Sequence, residues 1–290
     1  MSAYNLKVFV FQDFIQFRIY SKPITKTDEE TNLEEKEKEE YLQAELEELY
    51  GERKNADFKE DKTKDKTENK EKNARSDKVS LNRTVQNIYQ YALNNRWQYF
   101  ITLTFNPDKV DSMDYDKCMG SVRKWFNNQR SRYAPELKYL LVPEQHESGA
   151  WHVHGLISEC GAMKFADSGR VAVGKKAYKR TADNSDKPTI YNMSGWINGY
   201  STAIEIKNGA EDSAKMASYI TKYITKDLCV KIAGKRRFYP SNNLEKAECF
   251  EYNLHPDTIR DMIYSYDIDY IKTQDIPEAH QRIKYVTVKM

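Results

Sequence analysis

The chain has 290 residues with a formal net charge of +2, long enough for one large domain or two small ones. No run of about 18 apolar residues occurs, and the opening MSAYNLKVFVF lacks the charged, apolar and small-residue regions of a secretory leader, so neither a membrane span nor export is expected. Cys118, Cys160, Cys229 and Cys249 are scattered without a Cys-x-x-Cys pair and fit the reduced thiols of a cytoplasmic protein.

NLKVFVF and FIQFRIY alternate apolar and polar residues across a short Gln-Asp turn, which predicts a β-hairpin over 1–25. Residues 26–78 then hold 13 Lys+Arg against 19 Asp+Glu. Strong helix formers fill the first half and almost nothing in the second can be buried, so a charged helix followed by a disordered linker is predicted. The rest of the chain is left with 33 Lys+Arg against 25 Asp+Glu. That balance suits a phosphate-rich partner, although modest positive charge is also common in proteins that bind none.

VSLNRTVQNIYQYALNNRW is helical by the spacing of Val85, Ile88, Tyr89 and Ala92. YFITLTFNP reads as a strand ended by Asn-Pro, with Ile101, Leu103 and Phe105 on one face and Thr102 and Thr104 on the other. A helix through VRKWFNNQRSRY follows, then the strands KYLLVPEQH and WHVHGLISE across the turn ESGA. Residues of about 160–192 read as an irregular basic segment. GYSTAIEIK is another strand, EDSAKMASYITKYITKDL a helix, and KRRFY and ECFEYNL candidate late strands. The last forty residues carry no decisive pattern. The fold class predicted is α+β, one central antiparallel sheet flanked by helices.

In a strand, side chains two apart share a face, so His152 and His154 project together, as do Glu144 and His146 on the preceding strand. A three-residue loop Ser148-Gly149-Ala150 with Gly149 at positive φ sets 147 against 151 and 144 against 154. All four side chains then fall on one side of a hairpin. Two imidazoles and a carboxylate there suit a divalent metal, while a hydrogen-bonded polar patch is the plainer reading. SYITKYITK repeats Tyr-x-x-Lys in tandem, placing Tyr219 and Tyr223 one helical turn apart with Lys222 and Lys226 beside them. Met216, Ile220 and Ile224 continue the same stripe, so ordinary packing also accounts for it.

In order, FITLTF, EQHESGAWHVH and YITKYITK resemble the three motifs of the HUH endonucleases, above all the two-tyrosine rolling-circle replication initiators of small phages and plasmids. The resemblance covers about 98–227. It implies an RRM-like, ferredoxin-like nickase domain over 79–240, preceded by the hairpin at 1–25 and the charged insert at 26–78. A C-terminal extension at 241–290 is left to pack on it. By the same match Glu144, His152 and His154 hold Mg²⁺ or Mn²⁺, with His146 outside the inner shell, and Tyr219 and Tyr223 are nucleophiles assisted by Lys222 and Lys226. The implied substrate is single-stranded DNA at a replication origin, with host helicase and polymerase as partners in the bacterial cytoplasm. No helicase region accompanies the motifs. Two readings compete: a two-tyrosine HUH transposase, and an origin-binding protein or repressor that does not cut.

GRVAVGKK, 169–176, nearly matches the phosphate-binding loop G-x-x-x-x-G-K-[ST], but Lys176 stands where a hydroxyl should bind Mg²⁺, and no apolar helix follows. Its cations either touch DNA backbone or keep a loop soluble.

Overall fold

A computed structural model describes residues 3–25, 81, 83–174, 176–206, 235–276 and 280–290. The order is β1 (Ala3–Val10), β2 (Phe14–Thr25), helix α1 over 83–94, β3 (Tyr99–Thr104), α2 (Tyr115–Arg132), β4 (Lys138–Gln145) and β5 (Trp151–Ser158). It continues with β6 (Phe165–Val173), β7 (Lys176–Lys179), a 3₁₀ turn at Ala182–Asn184, β8 (Thr189–Met193) and β9 (Ser201–Glu205). Last come β10 (Tyr239–Pro240), β11 (Glu248–Tyr252), α3 (Pro256–Tyr264), β12 (Ile268–Ile276) and β13 (Gln281–Lys289). The predicted charged helix and linker at 26–78, and the predicted tyrosine helix, lie outside the described residues.

The class is α+β with antiparallel sheets flanked by helices, as the alternating patterns predicted, but there are two sheets and not one. They divide between two units, residues 67–246 and residues 1–66 with 247–290.

In the first unit the strand order is β10-β4-β5-β3-β9-β8-β6-β7. Its odd-numbered face is the core. Ile101, Leu103 and Phe105 of β3 and Trp151, Val153 and Ile157 of β5 pack against Cys118, Met119, Val122, Trp125 and Phe126 of α2. Asp114 starts that helix by accepting from the amides of Asp116 and Lys117 at 2.9 and 3.1 Å, as an N-cap does. Gly155 sits in the middle strand because no side chain fits: a Cβ there would stand 2.6 Å from Leu141 Cδ2 and 3.2 Å from Ile101 Cγ1.

The segment expected to be irregular, about 160–192, forms β6, β7 and β8. Gly169 and Gly174 adopt positive φ (69° and 60°), and the ladder slips between Asp167 and Arg170. That bulge interrupts the two-residue period on which the sequence reading relied.

In the second unit the order is β11-β1-β2-β13-β12. The N-terminal hairpin therefore lies between strands from the last forty residues. Leu6, Val8, Phe17, Val286 and Val288 form a core with Ile259 and Ile263 of α3. That helix starts at Pro256 behind a His255 cap.

Candidate functional site

The even-numbered face of β3, β4 and β5 carries the polar residues. Glu144 stands directly opposite His152, and Val142 opposite His154. On the other side of β5, His154 is paired with Thr102 and His152 with Thr104. This corrects the predicted register. The three-residue loop is Glu147-Ser148-Gly149, closed by His146 N–H to Ala150 O at 2.8 Å and Gly149 N–H to His146 O at 2.8 Å. Gly149 does take positive φ, 90°. Moving the loop back by one residue slides the pairing by two, so every side chain keeps its face while its partner changes.

The diagonal neighbours Glu144 and His154 meet: Oε2 and Nε2 are 2.6 Å apart. The other ring nitrogen, Nδ1, lies 3.1 Å from Thr102 Oγ1, and Phe100 stacks on the imidazole at 6.1 Å between centroids. His154 is thus fixed at both nitrogens and one face, with 7% of its surface exposed. Sequence reasoning missed Thr102 as a support for the site, although its place on the polar face of FITLTF was visible. His152 and His146 stack on each other at 5.6 Å and 15°. Burial lowers the His152 pKa, helped by the neighbouring His154 and His146 and opposed by Glu144. A lowered value keeps the ring neutral, the form that binds a cation.

Glu144 and His154 bring an oxygen and a nitrogen donor to one point, and His152 lies on the same face one strand position away. Among the described residues no three His, Cys, Asp or Glu side chains gather around one point. The donor set has the chemistry of a divalent-cation site, and His152 must turn from His146 to complete it. Tyr219, Lys222, Tyr223 and Lys226 lie outside the described residues. The phosphate-loop look-alike at 169–176 falls on the β6–β7 turn and not on a strand-to-helix loop, so the cradle it would need is missing.

The segment with this polar face can be compared with known families. Residues 98–228 match the family model of the replication-associated protein ORF2. The match begins one residue before β3 and extends past Tyr223 and Lys226, so it contains every motif singled out in the sequence. It supports a replication-associated role, and DNA as the partner. No curated protein and no solved structure matches the chain. No described helix is long and apolar enough to cross a membrane.

Proposed function

We propose that this chain is a replication initiator that nicks single-stranded origin DNA by tyrosine attack and later rejoins the strands. The observation that carries the reading is the Glu144–His154 pair, buttressed by Thr102, on the polar face of a segment similar to replication-associated proteins.

In this reading Glu144, His152 and His154 hold a divalent cation, Mg²⁺ or Mn²⁺. Such a cation polarises a phosphodiester and offsets the negative charge that builds up during attack. The hydroxyl of Tyr219 or Tyr223 forms the new P–O bond as the P–O3′ bond breaks. The products are a 5′-phosphotyrosine and a 3′-OH, which leaves with a proton and can prime synthesis. An unperturbed phenol titrates near about 10, so Lys222 and Lys226 serve by favouring the phenolate or neutralising phosphate oxygens. Host helicase and polymerase in the bacterial cytoplasm complete the process. A transposase would share this chemistry on transposon ends, whereas a repressor would have no use for the ligand set.

The test is incubation of the full chain with labelled single-stranded origin DNA and Mn²⁺, followed by a denaturing gel. A covalent protein–DNA band that disappears in His154→Ala is expected. Binding without any adduct, across metals and strands, would leave the non-cutting reading in its place.

A further inference from the structure

The β6–β7 ribbon carries a charge arrangement that the nicking chemistry does not use. Residues 164–180 hold Lys164, Arg170, Lys175, Lys176, Lys179 and Arg180 against one acid, Asp167. That acid is already taken: Arg180 grips it with both nitrogens, at 2.7 and 2.9 Å, and reaches Thr189 Oγ1 at 3.1 Å. Arg180 therefore braces the root of the ribbon. Arg170 stands directly opposite Lys179 in the ladder. Like charges facing each other across a strand pair cost stability. Among the described residues neither has a carboxylate partner, nor has Lys176 near the turn. All three are exposed.

Next to the Arg170–Lys179 pair, on the same side, come Ala172 and Ala177, also paired. Small side chains there let a rigid backbone come close to the strands. A two-stranded ribbon is one of the elements that fits a DNA groove. The register also places the pair: Phe100 faces Ile204, Ile204 faces Ile190, Ile190 faces Arg170, and Arg170 faces Lys179. Followed along the ladder, Arg170 and Lys179 lie on the same face of the sheet as Thr102 and His154. β7 is the edge strand, five steps from β5. At about 4.8 Å per step that is roughly 24 Å, the rise of about seven base pairs.

We propose that the β6–β7 ribbon, through Arg170, Lys176 and Lys179, binds the sugar–phosphate backbone of duplex DNA, at a site separate from the histidine face. The inference rests on the reading of this chain as a DNA-acting initiator. It adds that the substrate includes a double-stranded arm beginning several base pairs from the cleaved phosphate. The ribbon supplies grip and position, with no reading of bases, because its contacts are cations and alanines.

The experiment measures anisotropy of two labelled DNAs with the full chain over a salt series: a bare single strand, and the same strand carrying a ten-base-pair stem. Replacing Arg170, Lys176 and Lys179 together by Ala should weaken binding of the stemmed DNA about tenfold or more. It should also flatten the salt slope by roughly two to three, near 0.9 for each phosphate no longer neutralised. Affinity for the bare strand should change less than twofold. A charge-conserving set, Arg170→Lys, Lys176→Arg and Lys179→Arg, should restore the stemmed complex, which separates missing charge from impaired folding. An unchanged stemmed complex overturns the proposal, as does an equal loss on both DNAs or a failure of the charge-conserving set to restore binding. Cleavage does not enter the readout, so the ribbon can fail while the nicking reading stands, or the reverse.

Discussion

His154 shows how one side chain is prepared for a single task. Thr102 holds Nδ1, Glu144 meets Nε2, and Phe100 covers the ring. Removing the outer support of a metal ligand commonly costs 10- to 100-fold in affinity. Thr102→Val should therefore weaken Mn²⁺ binding by about tenfold in calorimetry, with the fold retained. Glu144→Ala should weaken it further, and His146→Ala least, since His146 only stacks on His152. Equal affinity in Glu144→Ala and the parent would remove Glu144 from the ligand set. The pH dependence has a definite sign. His152 titrates below an ordinary histidine because it is partly buried. The unfolded chain thus takes up the proton first, and acidification through the lowered value costs stability, while above the ordinary value of about 6.5 the ring contributes no such dependence. A proton NMR titration should find the His152 ring neutral at a pH where an exposed histidine is half charged. Burial acts on thiols in the opposite direction: Cys118 and Cys160 are each pushed up to about 12. Neither should be alkylated by iodoacetamide at pH 7.5 in the native protein, whereas exposed Cys249 should react.

At the scale of elements, the β4–β5 hairpin depends on Gly155 as much as on its ligands. Its missing Cβ lets Leu141 and Ile101 close over the middle strand from both sides. Gly155→Val should lower the melting temperature by several degrees and take the nicking activity with it, because overpacking typically costs 1–3 kcal/mol. This face was legible in the sequence because a strand repeats every two residues. The shared side of Glu144, His146, His152 and His154 survived a wrong choice of loop, since the error was two residues and parity is blind to that. Thr102 was legible as a face but not as a partner, because cross-strand neighbours on β3 are set by pairing that no local pattern encodes. The ribbon was not legible. A bulge after Asp167 and two positive-φ glycines break the alternation there, leaving a run of cations that reads as a loop.

At the scale of the whole molecule, the second sheet shows where sequence reading stops. β1 and β2 were visible from alternation, but their partners β11 and β13 come from the far end of the chain. Only contact between distant segments identifies them. A chain truncated after Lys246 loses Val286, Val288, Ile259 and Ile263 from the core that buries Leu6, Val8 and Phe17. Hydrogen exchange should then show β1 and β2 unprotected while β3, β4 and β5 keep their protection. Deleting residues 28–76, by contrast, should leave cleavage of a short single-stranded oligonucleotide largely intact, because that segment lies outside the family match at 98–228. A deletion variant with a native circular dichroism spectrum and no cleavage would make the insert part of the site. The central claim is that tyrosine attack, supported by the histidine face, cuts DNA, and peptide mapping of the covalent adduct tests it most directly. The account predicts DNA on Tyr219 or Tyr223, some adduct in Tyr219→Phe and in Tyr223→Phe, and none when both are Phe. An adduct that persists in the double variant, or DNA mapped to any other residue, would contradict it.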